Sequence, residues 1–157
     1  MIILKSADEL KAMRKAGRVV AQAHELVRDL IRPGVSTLEL DAAVEEFLQK
    51  MDSVPAFKGY HGYPATICAS VNEVVVHGIP SADIILEEGS IVGVDIGAFV
   101  DGFCGDSAWT YPVGEVDEAV AALLETTEQA LYQGINQAIV GNRLSDISHA
   151  VQKHAEE

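Results

Sequence analysis

Apolar residues recur at helical spacing near the start of the chain, alternate at spacing two in its middle, and return to helical spacing at its end. Leu10, Met13, Val20, His24, Val27 and Ile31 share one helix face, opened by a capping box from Ser6 to Glu9 and stopped by Pro33-Gly34. A second capping box, Ser36 to Glu39, starts a helix that turns Leu40, Val44, Phe47 and Leu48 inward and leaves Asp41, Glu45 and Glu46 on a solvated face. From Met51 to Tyr63 the periodicity breaks into a loop holding Pro55, Gly59 and Gly62. Ala65 to Val71 and Val74 to His77 read as short strands about an Asn72-Glu73 turn. Ile91 to Ile96 and Phe103 to Tyr111 are rich in β-branched and aromatic residues around Asp101-Gly102, a tight-turn signal. Beyond them Val120, Leu123, Leu124, Ala130, Leu131 and Ile135 mark a long helix ended by Gly141-Asn142, and Leu144 to Glu157 begins another.

The hairpin of residues 90 to 114 carries two aspartates, Asp95 and Asp106. A loop of Asp101-Gly102 sets Asp106 opposite Gly97 and diagonal to Asp95; a turn centred one residue earlier sets the two aspartates directly opposite. Both registers put the carboxylates on one face, because side chains alternate along a strand. That face otherwise holds Gly93, Gly97, Cys104, Ala108 and Thr110, and the other holds Val92, Val94, Ile96, Phe103 and Trp109. Two carboxylates roughly 5 to 8 Å apart raise one another's pKa unless a cation lies between them. The plain alternative is a pair of solvent-facing or turn-capping aspartates.

The end of the chain repeats its beginning at an offset of 107: Gly34 falls on Gly141, Glu39-Leu40 on Asp146-Ile147 and Ala43-Val44 on Ala150-Val151. The first copy runs on into sheet and the second stops at Glu157. The pattern is one and a half copies of a helix-helix-sheet unit.

Composition narrows the function classes. The 157 residues carry a net charge of −13, which argues against a dedicated binder of nucleic acid or anionic membrane. Two cysteines, Cys68 and Cys104, without CxxC spacing or a secretory leader, suggest a reducing, cytoplasmic setting. No run approaches the roughly 20 apolar residues of a membrane span. Of the histidines, His24 lies on a core-facing stripe and reads as a satisfied boundary residue. His149 and His154 are five apart and read as surface residues, and His77 at a strand end before Gly78 reads as a surface or site residue. Tyr60, His61 and Tyr63 form a ring cluster that serves packing or walls an apolar pocket.

Three spaced motifs, GYHGYPATICASVNEVVVHGIP, VDIG and GDSAWTYPVG, closely resemble the type I methionyl aminopeptidases, metal-dependent hydrolases of the pita-bread α/β fold. The resemblance implies an α/β (α+β) fold with an antiparallel sheet covered by helices, whose first half is complete here. Residues 1–157 are then a single incomplete domain, with 1–114 the first repeat and 115–157 the start of the second. It implies removal of the initiator methionine from nascent peptides. By the same resemblance Asp95 and Asp106 are metal ligands of a dinuclear site (Co, Mn, Fe or Zn), and His77 is the catalytic histidine that hydrogen-bonds the substrate near the scissile amide. Tyr60, Tyr63, Cys68 and Phe57, with His61 behind them, wall the methionine pocket, and Asn72 and Val74 hold a monovalent cation through their backbone.

Two departures from the family pattern qualify those expectations. Cys104 stands where the family usually has His, and three of the five expected metal ligands, one His and two Glu, are absent from this chain. The expected activity of the chain alone is therefore impaired, with a complementing C-terminal half as the expected partner. The alternative is a non-catalytic or self-assembling half-domain that dimerises through its exposed sheet.

Overall fold

The computed structural model describes residues 2–157 and divides between Glu115 and Val116 into two compact units. The first holds two helices, α1 (Ala7–Leu30) and α2 (Thr37–Lys50), and four strands, β1 (Val54–Pro55), β2 (Ile67–Val71), β3 (Ile91–Val100) and β4 (Phe103–Pro112). Both expected capping boxes form. Glu9 N–H donates to Ser6 Oγ while Ser6 N–H donates to the Glu9 carboxylate, and Ser36 and Glu39 do the same.

β3 is the spine of the sheet, with all three neighbours antiparallel to it. β4 pairs along its whole length on one edge; on the other, β2 pairs with Val92–Ile96 and β1 with Ala98 and Phe99. The β3–β4 register runs from Ile91 opposite Pro112 to Val100 opposite Phe103, so the loop is Asp101-Gly102. Both loop residues have positive φ, 51° and 82°, as a twist-matched two-residue hairpin turn requires.

The inward face of β3, from Val92 through Val94, Ile96 and Ala98 to Val100, is buried under α1 and α2. Leu40, Val44 and Leu48 come from α2, as their spacing predicts. On α1 the buried face is Ala16, Val19, Val20, Ala23 and Val27, while Leu10 and Met13 stay exposed. The backbone of Ala16 and Gly17 comes closest to β4 at Gly105, where a Cβ would lie 2.6 Å from the Ala16 carbonyl carbon. Trp109 on β4, expected on the packed face, is itself partly exposed.

The expected strand from Val74 to His77 does not form. Asn72 and His77 bracket it with left-handed φ of 52° and 60°, and Val74, Val75 and Val76 are exposed. The segment returns to the sheet at one place, where Ala69 N–H donates to Gly78 O at 2.9 Å. Conversely, the loop expected from Met51 to Tyr63 contains β1 and a 3-10 turn over Tyr60–Gly62.

The second unit is a pair of helices, α3 (Glu118–Gln137) and α4 (Leu144–Glu156). They meet at Gly134, where a Cβ would come 2.7 Å from Val151 Cγ2. α3 stops before the expected Gly141, because Ala138 leaves helical geometry and the Asn142 side-chain amide donates to the freed Gln137 carbonyl. Leu30 and Gln137 end their helices, and Thr37 and Leu144 begin theirs, each pair 107 apart. Between them Gly34 and Gly141 both take left-handed φ, 91° and 101°.

Candidate metal centre and adjoining pocket

Asp95 and Asp106 project from the same face of the hairpin, Asp95 opposite Ala108 and Asp106 opposite Gly97. The diagonal register holds, and small residues leave the face open around the carboxylates. Asp95 is half-buried, and its Oδ1 is buried with no hydrogen-bond partner. Burial, then the neighbouring charge of Asp106, pushes its carboxyl up to about 6 from an ordinary 3.8. An orphaned buried oxygen beside a second carboxylate is the environment a cation relieves, so the pair fits a divalent ion. No group of three or more His, Cys, Asp or Glu able to hold a metal occurs among the described residues, so the pair is a partial donor set.

Three elements bring further side chains to this face. Cys68 of β2 stands opposite Asp95 and is buried; burial raises its thiol pKa, and the charges of Asp95 and Asp106 add to that. The Phe57 ring lies over Gly97, so close that a Cβ there would come 2.6 Å from Phe57 Cε1. His77 is exposed but near enough to Asp95 to draw its carboxyl back down, and its left-handed φ of 60° is a strain typical of functional positions. Gly78, beside it, lies so tightly against β2 that a Cβ would sit 2.2 Å from Ala69 O.

Tyr63 ties these pieces together. Its hydroxyl lies 3.0 Å from Ile67 O and 3.1 Å from Gly78 O, donating to the pair. Burial and the Cys68 thiol raise its pKa.

The other expected site residues lie farther out. Tyr60 and His61 occupy the exposed 3-10 turn, rings edge-to-face at 4.4 Å. Asn72 braces its turn, accepting from Ile91 N–H and donating to Ser90 Oγ, and Val74 is exposed. Cys104 is exposed opposite Phe99, on the carboxylate face, where burial and Asp106 raise its thiol pKa.

His24 is the satisfied boundary residue expected, with Nε2 2.9 Å from Ser107 O and Nδ1 2.9 Å from Tyr111 Oη. Asp41 corrects the sequence reading. It is 7% exposed rather than solvated, and its Oδ1 accepts from Thr66 N–H at 2.8 Å and Ile67 N–H at 2.9 Å. The signal was available, since Thr37, Asp41, Val44 and Leu48 lie on one stripe and all four are buried.

The chain matches the family model for metallopeptidase family M24 over residues 11–157. It is 51% identical over 156 residues to methionine aminopeptidase 1 of Bacillus subtilis (strain 168), covering 99% of this chain and 62% of that one. Among solved structures, methionine aminopeptidase from Thermotoga maritima superposes with a TM-score of 0.96 at 44% identity, covering 99% of this chain and 63% of that one. The enzyme from Rickettsia prowazekii gives 0.96 at 35% identity, with 99% and 62% covered. The chain thus has the pita-bread fold over about three fifths of the length of these relatives. Matched through nearly all of its residues, it belongs to metallopeptidase family M24.

Proposed function

We propose that this chain is the N-terminal portion of a metal-dependent aminopeptidase that removes the initiator methionine from nascent peptides. The observation that carries the reading is Asp95, whose buried, unpartnered Oδ1 lies beside Asp106 on the face that also gathers His77, Cys68, Tyr63 and Phe57. Asp95 and Asp106 hold divalent ions, with Co, Mn, Fe and Zn as candidates. Such ions, when bound, acidify water and polarise a scissile carbonyl. His77 hydrogen-bonds the substrate beside the scissile amide and stabilises charge developing on its oxygen. Phe57, Tyr63 and Cys68 wall the methionine side chain, Tyr60 and His61 stand at the rim, and backbone oxygens of Asn72 and Val74 take a monovalent cation.

On this reading residues 1–114 are one repeat and 115–157 the start of another, which the two helix pairs at one offset support. Two carboxylates are a weak site for a divalent ion, so full activity requires donors from a complementing C-terminal half. Free cysteines fit a cytoplasmic setting, and no described helix is long and apolar enough to cross a membrane. The test is turnover of a Met-Gly-X peptide with added Co(II) or Mn(II), compared with Asp95→Asn. The substitution removes whatever turnover the chain retains and lowers its Mn(II) affinity by about tenfold or more; equal Mn(II) affinity in the two proteins overturns the metal-site reading.

A second reading rests on a separate observation. Among the described residues β4 pairs with β3 alone, and Leu123, Leu131 and Ile135 of α3 are exposed. An open strand edge and an apolar helix face invite a second copy of the chain, which makes the half-domain self-associating.

A further inference from the structure

We propose that Asp41 is a positioning residue for the pocket wall, acting from α2 through the first peptide groups of β2. Thr66 and Ile67 are fully buried, and their amides, at the start of the strand, both donate to the single oxygen Oδ1 of Asp41. Ile67 is thereby held at its amide by Asp41 and at its carbonyl by the Tyr63 hydroxyl. Cys68 follows directly in the chain, and the same Tyr63 hydroxyl reaches Gly78 O, next to His77. One helical carboxylate therefore sets the position of a residue on which Tyr63, Cys68 and the His77-Gly78 segment all depend.

Beyond Asp41, the Tyr63 hydroxyl at Ile67 O and the pairing with β3 hold this strand start, but neither accepts from the Thr66 amide. Thr66 Oγ1 is buried without a partner, so without Asp41 two buried N–H groups lose their acceptor and β2 shifts to find water or another partner. Asp106 lies on β4, which pairs with β3 and not with β2, and Asp95, though opposite Cys68, is held from its other side along the whole of β4, so the carboxylate pair does not rest on the β2 start alone. An asparagine would retain an oxygen able to accept both amides in the same place, whereas alanine would not.

The substrate sense of this inference rests on the pocket reading given above; its structural core does not, and the experiment separates them. Alkylation of the two thiols by iodoacetamide is followed by peptide mass mapping, with exposed Cys104 as reference for buried Cys68. In Asp41→Ala the Cys68 rate relative to Cys104 rises about tenfold or more, as local opening of β2 predicts. In Asp41→Asn it stays within about threefold of the unsubstituted chain, and Mn(II) affinity at the carboxylate pair changes by less than about twofold in both variants. Binding of L-methioninamide weakens about tenfold in Asp41→Ala only. An unchanged Cys68 rate in a folded Asp41→Ala protein overturns the proposal. So does Asp41→Asn behaving like Asp41→Ala, or Mn(II) affinity falling in parallel, which would signal general loosening. If Asp41→Ala does not fold, amide exchange in the unsubstituted chain and Asp41→Asn decides: slow exchange at Thr66 and Ile67 in both supports the proposal, and fast exchange overturns it. Should L-methioninamide fail to bind the unsubstituted chain while Cys68 responds as stated, the pocket reading falls and the positioning role stands.

Discussion

At Asp95, burial and a neighbouring carboxylate show in protonation. Its carboxyl pKa stands at about 6 against an ordinary 3.8, through burial first and Asp106 second. The folded chain therefore holds a proton that the unfolded chain has released between those values. This contribution to stability is complete below about pH 4 and is lost as pH rises through about 6. A divalent ion must displace that proton, so its apparent affinity falls about tenfold per pH unit below pH 6 and levels off above it. Mn(II) titration from pH 5 to 7.5 measures this, and a flat affinity across that range would contradict it. At the same scale, His24 shows how far residue types alone can be read. Its place on an apolar stripe implied a satisfied ring, and two hydrogen bonds satisfy it. Asp41 shows the converse: a charged residue on the stripe is buried because backbone amides of β2 partner its carboxylate.

Among the elements, the hairpin was the most legible, since its turn pair, alternation and length all pointed one way, and only its register stayed open until the pairing was seen. The segment from Val74 to His77 was the least legible. Its valines signal strand, but two left-handed residues and the exposure of all three valines override that propensity. Close approaches of backbone to backbone leave no periodic trace, so the need for glycine at position 105 could not be read in advance. Gly105→Ala places a methyl within 2.7 Å of the Ala16 carbonyl oxygen and the Gly17 nitrogen. Backbone atoms cannot rotate away as a side chain does, so the substitution lowers stability by about 1–3 kcal/mol. Denaturant unfolding of the variant checks the figure, and an unchanged midpoint would show that α1 can ride outward freely.

For the whole molecule, the two helix pairs at an offset of 107 were legible because a constant spacing of whole helices survives divergence of single residues. What covers each unit was not legible, because exposure depends on partners in space. If a second copy covers these surfaces, Leu131→Lys with Ile135→Lys lowers the apparent mass at a given concentration in light scattering. A chain that is monomeric before substitution removes the self-association reading. The two-residue turn at Asp101-Gly102 has a last consequence, for the order in which the site is made. The carboxylates sit within one hairpin, so their meeting requires only a short loop to close, an event of microseconds, whereas Cys68 and Tyr63 must arrive from distant sequence. If Asp95 and Asp106 hold the ion as proposed, the ion-binding half of the centre forms early and the pocket late, so a divalent ion present during folding meets its first ligands before the rest of the sheet has closed around them.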